Sequence, residues 1–308
     1  MSATSKVWSN GELISFEDAK IHMLSHGFSR GSAVFEVFGI HSTPEGVVAF
    51  RMDEHLKRLE RTCRLLGMEL SYNSAELAAA VKTIVKENDM RIGHVKIMAY
   101  YSEISLGNMV PEDKLELAVF TLPAAADPVF SNNRTVTACI SKWCKMHPRT
   151  APPMAKACAY YLNGFLARQD AKQQGYDIGI LLDTHGFVAE GSLESLFMAK
   201  EGVLMTPPLG RVLASISRMS ILEMAPVFGI KILETSILPE DLAMADEIFF
   251  SGTPAKVLPV KTLGPLSHFG KRHLDSPGPI AQKLADGLME IVNLKHDRFR
   301  PWLQPLTG

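Results

Sequence analysis

The sequence predicts a two-domain protein of α+β or α/β class. Three observations carry that expectation. A length of 308 residues with 46% hydrophobic content is enough for two cores. Strand-like and helix-like segments are intermixed along the chain without an internal repeat. A stretch of small residues, prolines and turn formers, PAAADPVFSNN, separates two unequal runs of elements. The expected division is a first domain over residues 1–122, a connection over 123–132 and a larger second domain over 133–308.

The elements follow in order. VWSNGELIS is strand-like, with a tight β-turn at Asn10-Gly11. SAVFEVFGIH reads as a strand. In RMDEHLKRLERTCRLLGM, Leu56, Leu59, Cys63 and Leu66 recur at helical spacing, with Asp53 near the start and Gly67 to end the helix. In NSAELAAAVKTIVKEND, Asn73 and Glu76 give a capping-box pattern ahead of the apolar stripe Leu77, Val81, Ile84 and Val85. HVKIMAYY alternates and sends His94, Lys96, Met98 and Tyr100 to one face; LELAVFTL closes the first run.

Beyond the connection, TVTACIS is a strand, and a helix is expected from roughly Ala159 to Gln174, ended by Gly175, with Leu162, Phe165 and Leu166 continuing an apolar stripe. IGILL, the turn DTHG, FVAE, LFMAK, the turn at Glu201-Gly202 and VLMT predict hairpins in a mixed or antiparallel sheet. SISRMSILEMA is a helix opened by serines, EIFFSGT a strand running into a turn, and GPIAQKLADGLMEIVNLK a C-terminal helix.

Composition excludes several function classes. Lys+Arg 32 against Asp+Glu 33 leaves a formal net charge of -1, so no basic field predicts a nucleic-acid partner. No apolar stretch has the length of a signal peptide or a membrane span, and the expectation is a cytoplasmic protein without a membrane partner. Cys63, Cys139, Cys144 and Cys158 are too irregularly spaced for a disulfide framework. His22 and His26 lie four apart but lack a third ligand or an HExxH pattern, so no metal site is expected.

The motifs that carry chemistry form an ordered series: Lys156 in PMAKACAYY, Tyr161, LNGFLARQDAKQQGYDIGILLD, Glu190-Gly191, Thr206 to Pro208, GRVLASISR and ADEIFFSGTPAKVLPV. In order and spacing the series resembles the class IV aminotransferases, above all the branched-chain-amino-acid aminotransferases, over nearly the whole chain. WSNGELISFEDAKIHMLSHGFSRGSAVFEV and FRMDEHLKRLERT look like the same family. Read singly, each residue has an ordinary alternative: a solvated lysine, a turn carboxylate, a core tyrosine, a helix N-cap serine. The ordered set is what departs from those readings.

The resemblance implies a fold-type IV enzyme, like D-amino-acid aminotransferase in fold, with a small α/β domain and a larger mixed-sheet domain that binds pyridoxal 5'-phosphate. It implies Lys156 as the amine that holds the coenzyme aldehyde as a Schiff base, Glu190 as the partner of the pyridine nitrogen and Tyr161 as the partner of the 3'-oxygen. A lysine reacting as an amine needs a partly desolvated setting, and Met154, Ala155, Ala157 and Cys158 supply apolar neighbours. Ser215, Ile216 and Ser217 open a helix where the family binds the coenzyme phosphate on backbone amides and a hydroxyl. Arg58 and Thr253 match family residues that also contact the phosphate.

On the substrate side the pattern departs from the branched-chain enzymes. Arg30 stands where many relatives carry tyrosine, Gly39 where they often carry arginine, and His94 and Lys96 replace a tyrosine and an arginine. Pro254 stands where a backbone N–H helps to hold the substrate carboxylate, and proline has none. Ser195 replaces an asparagine of EGxxxNLF. The expectation is that Arg30 and Lys96 bind the carboxylate by rearranged charge-assisted hydrogen bonds, with Phe35, His94 and Pro254 beside the substrate. The function so implied is amino-group transfer between an amino acid, a branched-chain-like L-amino acid first, and a 2-oxo acid. Alternatives are an aminodeoxychorismate lyase-like activity, a D-amino-acid aminotransferase, and a coenzyme-binding dimer without turnover. The resemblance also implies a homodimer.

Overall fold

The computed structural model describes residues 5–124 apart from 105, 108 and 113, residues 135–253, residues 256–266 and residues 269–306. Asn10 and Gly11 both take left-handed backbone, with φ of 48° and 96°, which turns β1 (Lys6–Ser9) into β2 (Glu12–Ser15) as expected. Then come α1 (His26–Ser29), β3 (Ala33–Thr43), β4 (Gly46–Phe50), α2 (Met52–Leu66), α3 (Ser74–Glu87), β5 (Gly93–Tyr100) and β6 (Glu116–Pro123). The chain continues with β7 (Val136–Cys144), α4 (Tyr161–Gln173), β8 (Ile178–Leu182), β9 (Val188–Glu190), β10 (Ser195–Lys200), β11 (Val203–Thr206) and α5 (Ile216–Met224). It ends with β12 (Lys231–Glu234), α6 (Pro239–Ala243), β13 (Glu247–Ser251), β14 (Leu258–Leu263), β15 (Arg272–His273), α7 (Pro279–Val292) and β16 (Leu303–Pro305).

Two compact units result: Met1–Ala126 with Ala155–Tyr160 and Glu290–Gly308, and Asp127–Met154 with Tyr161–Met289. From residue 125 on, the expected connection lies outside the described residues. The division differs from two consecutive domains because two later segments join the first unit's sheet. Ala157 bridges Val34, and the Phe35 N–H donates to the Lys156 carbonyl at 3.2 Å. β16 pairs antiparallel with β4, Leu303 opposite Phe50.

The first unit holds an antiparallel sheet in the order β16-β4-β3-β5-β6-β1-β2. α2 and α3 pack on one face, where Leu56, Leu59, Cys63, Leu77, Val81 and Ile84 bury themselves against Val34, Phe38, Val95, Ile97 and Leu117. The α3 cap is reciprocal: Asn73 Oδ1 accepts the Ala75 and Glu76 N–H groups while Glu76 Oε2 accepts from the Asn73 N–H. β5 alternates as its sequence requires, with Gly93, Val95, Ile97 and Ala99 buried and His94, Lys96, Met98 and Tyr100 half-buried on the other face. Its register with β3 sets His94 opposite Gly39, Lys96 opposite Val37 and Met98 opposite Phe35.

The second unit holds a mixed sheet in the order β12-β11-β10-β13-β14-β7-β8-β9, with β15 on β14. Its core gathers Ile178, Ile180, Leu196, Met198, Ile248, Phe250 and Val260. α4 corrects the sequence reading. It starts at Tyr161, and Leu162 and Phe165 are 61% and 58% exposed rather than part of a core stripe. The buried side consists of Gly164, Ala167, Asp170 and Ala171. Small residues win that face because the helix approaches the chain closely: a Cβ on Gly164 would lie 2.1 Å from the Ser192 carbonyl oxygen, and one on Gly179 2.3 Å from the Ala167 carbonyl oxygen.

Candidate active site

In the first unit, α2 gathers the expected coenzyme lysine and the expected phosphate arginine. Thr62, one helical turn beyond Arg58, accepts the Lys156 backbone N–H on its hydroxyl at 3.1 Å, and the Lys156 carbonyl is held by the Phe35 N–H. Lys156 is thereby fixed by its backbone on both sides, beside the start of β3. Its Nζ sits 4.6 Å from the centre of the Phe35 ring, and the Nζ of Lys96 sits 5.1 Å from the same ring. The structure thus brings Lys156, Phe35 and Lys96 together.

Arg58 is buried, and its Nε and Nη2 donate to Glu36 Oε1 and Oε2 at 2.7 and 2.8 Å. His55 Nδ1 meets Glu36 Oε2 at 2.7 Å. Burial by itself would raise the Glu36 carboxyl, but the charge and hydrogen bonds of Arg58, with the His55 bond, outweigh it and hold the group at about 2. Burial pushes the His55 imidazole down against the pull of Glu36, and the charges of Arg58 and Lys156 add to that push. A neutral His55 that donates to a carboxylate carries its hydrogen on Nδ1.

Arg30 is exposed at the C-terminal end of α1, where its N–H donates to the His26 carbonyl at 3.0 Å. His94 is half-buried opposite Gly39. A Cβ on Gly39 would lie 2.8 Å from His41 Nε2, so the His41 ring covers the position that lacks a side chain.

In the second unit, Glu190 ends β9 with its side chain largely buried and ion-paired through Oε1 to Lys145 Nζ. Its Oε2 accepts the Leu213 N–H at 3.3 Å. Leu213 in turn accepts the Ser215 N–H on its carbonyl at 2.8 Å, and Ser215 caps α5 by accepting the Arg218 N–H on Oγ at 3.3 Å. The loop before α5 therefore ties Glu190 to the amide-rich end of a helix whose first residues are Ile216 and Ser217. Behind that end, Arg218 Nη2 donates to the Pro207 carbonyl at 2.7 Å and to Glu234 at 2.6 Å. Tyr161 opens α4 half-buried, and Thr253 follows β13, also half-buried; the Ser251 hydroxyl at the end of β13 donates to the Lys256 carbonyl at 2.7 Å. Pro254 lies outside the described residues.

A second buried carboxylate, Glu194, sits beside this cluster and is paired to Arg168 at 2.6 Å. Burial, with the charge of Glu190, raises its carboxyl against the opposing pull of Arg168. Sequence reasoning did not single out Glu36, His55, Thr62, Lys145, Arg168 or Glu194. A signal existed for Glu36, a charge inside the apolar run AVFEVFGI, facing the i, i+3 pair His55 and Arg58. None existed for Lys145, whose partner is defined only by strand neighbours. Among the described residues, no cluster of three or more His, Cys, Asp or Glu could hold a metal ion, the four cysteines are unpaired, and no helix is long and apolar enough to cross a membrane.

Residues 33–263 match the family described as amino-transferase class IV. The chain is 30% identical over 305 residues to the branched-chain-amino-acid aminotransferase of Salmonella typhimurium, covering 98% of this chain and 97% of that protein. Among solved structures it is similar to a branched-chain aminotransferase from Thermoproteus uzoniensis solved with norvaline, with a TM-score of 0.91, 34% identity and coverage of 98% and 99% of the two chains. It is likewise similar to the branched-chain amino acid aminotransferase from Thermobaculum terrenum in its PLP-form, at a TM-score of 0.88, 30% identity and 100% coverage of each chain.

Proposed function

The chain belongs to the amino-transferase class IV family, and from that premise we propose how its residues carry out pyridoxal-phosphate-dependent amino transfer between a branched-chain L-amino acid and a 2-oxo acid. The observation that carries the reading is the tie from Glu190 through Leu213 to the Ser215-capped end of α5. One carboxylate and one helix N-terminus are set a short loop apart, and a pyridine nitrogen and a phosphate are the two ends of the coenzyme. The donor set fits: Glu190 would hold the ring nitrogen, the Ile216 and Ser217 amides with the Ser217 hydroxyl would hold the phosphate, and Tyr161 the 3'-oxygen. Thr253 and Arg58 are further phosphate ligands in this reading.

When bound, the coenzyme supplies an aldehyde to receive the amino group and a ring to accept the electron pair left as the α C–H bond breaks. Lys156 Nζ would hold the coenzyme aldehyde and, as a free amine, would take up and return the α-proton of the donor. Anchoring of the Lys156 backbone on Thr62 and Phe35 lets Nζ move while its Cα stays fixed. Phe35 supplies apolar surface for a branched side chain, and Lys96 a charge for the carboxylate. Arg30, His94 and Pro254 complete the substrate side in this reading.

The enzyme acts as a homodimer. Met23, Leu24, Phe28, Leu106, Met109 and Val110 are exposed apolar residues of the first unit. They are stitched into one surface by the Ser25 to Ile104 bridge and by His26, whose Nε2 lies 3.3 Å from the Met109 carbonyl. A patch of this kind marks an interaction surface, and a second copy is its occupant. Unpaired cysteines suit a reducing, cytoplasmic setting.

The test is an absorption titration of the coenzyme-loaded protein with single L- and D-amino acids in the absence of any oxo acid. Branched-chain L-amino acids are expected to convert the coenzyme to its aminated form, and Lys156→Ala to abolish the conversion. Full conversion by the Ala variant would remove Lys156 from its role, and conversion by D-amino acids alone would overturn the substrate assignment.

A further inference from the structure

A coenzyme phosphate is recognised well by an arginine only if the guanidinium is held at one orientation, since the five N–H groups form a rigid planar fork. Arg58 is held in that way. Its Nε and Nη2 edge is engaged side-on by Glu36, with bonds of 2.7 and 2.8 Å, and Glu36 is fully buried. Turning the guanidinium would break both bonds at once and strand a carboxylate away from water. The carboxylate is itself pinned from a third direction by His55 Nδ1 at 2.7 Å, and the His55 ring is set 5.4 Å from that of Phe38. All three groups come from regular structure, Glu36 from β3 and both His55 and Arg58 from α2.

We propose that Glu36 and His55 are positioning residues that clamp Arg58 by its Nε–Nη2 edge and so fix the orientation in which its guanidinium meets the coenzyme phosphate. This rests on Arg58 being a phosphate ligand. Because Glu36 already balances the charge of Arg58, the arginine recognises the phosphate by the placement of its N–H groups rather than by an excess of positive charge.

The clamp predicts selectivity for the phosphate group specifically. The full-length chain, stripped of coenzyme, is titrated with pyridoxal 5'-phosphate and with pyridoxal, which lacks the phosphate, and the ratio of the two dissociation constants is compared among variants. Glu36→Gln should shrink that ratio about tenfold or more, by weakening the phosphate ester alone. His55→Gln, which keeps the bulk of the side chain, should shrink it about threefold, and it supplies the same answer if Glu36→Gln does not fold. A purely structural role weakens both ligands equally, so a ratio that is unchanged or raised in the folded variants overturns the proposal. Arg58→Gln, which removes the cation, separates the two levels. If it leaves the ratio unchanged, Arg58 is no phosphate ligand and the underlying reading fails; if it lowers the ratio while Glu36→Gln and His55→Gln do not, only the clamp fails.

Discussion

A glutamate in the middle of a buried strand is strongly destabilising unless its charge is matched, and Glu36 is matched by three hydrogen bonds from two residues of α2. The match makes the first unit sensitive to acid. Glu36 has an ordinary value of 4.5 and is held at about 2, so its contribution is complete above 4.5 and is lost as pH falls toward 2. That contribution is on the order of 3 kcal/mol. His55 is displaced downward from 6.5, with Glu36, Arg58 and Lys156 as the charged groups facing it. As pH falls through 6.5 the unfolded chain takes up a proton that the folded imidazole refuses, so stability declines there as well. Urea midpoints measured from pH 8 downward should therefore show two successive declines, and His55→Gln should remove the earlier one while sparing the later. An unchanged pH dependence in that variant would assign the earlier decline elsewhere. The residues of the ordered motif series, Lys156 and Glu190 among them, stand out as candidates because each sits in a recognisable stretch. Lys145 does not, since nothing near it in the chain announces a carboxylate supplied by β9.

Elements were legible where one face is apolar and the other charged. α2 and α3 meet that condition, and their Leu, Val and Ile stripes are buried as expected. α4 does not, because apolar residues occur on both sides and differ only in size. Counting apolar positions puts Leu162 and Phe165 inward, whereas the close approach of backbone at Gly164 and Ala167 leaves room for only small side chains at those two positions. Gly164→Ala should cost about 1–3 kcal/mol, since its new methyl meets backbone rather than a movable side chain. Gln169→Ala on the exposed side of the same helix should change stability by less than about 0.5 kcal/mol. Equal effects in chemical denaturation would contradict the close approach. β16 was illegible for another reason. It has three residues, one of them Pro305, and owes its strand geometry to β4, far earlier in the chain, in the register Leu303 to Phe50. Local periodicity carries no information about such a partner.

At the scale of the whole molecule, the interleaving of the two units follows from the same long-range pairing: residues 155–160 and the C-terminal segment serve the first unit's sheet although second-unit elements separate them in sequence from the rest of that unit. Composition cannot reveal that, and it is equally silent about the apolar surface left exposed. Each unit carries such a surface. The first has the patch around Phe28, Leu106 and Met109, and the second has Leu162 and Phe165 on α4, with Leu193 beside Gly164. A stable homodimer buries roughly 1,200–2,000 Å² or more and centres on large apolar side chains; Phe28, Met109, Leu162 and Phe165 are side chains of that kind. Sedimentation of the native enzyme should give twice the chain mass of 33.9 kDa. Phe28→Asp and Phe165→Asp each place a charge where a second copy would have to bury it, at a cost of several kcal/mol. Both should shift the enzyme toward the single-chain mass at micromolar concentration while leaving far-ultraviolet circular dichroism intact. A native enzyme sedimenting as one chain would refute the homodimer. A native dimer that survives both substitutions would keep the dimer and move its interface away from these two surfaces.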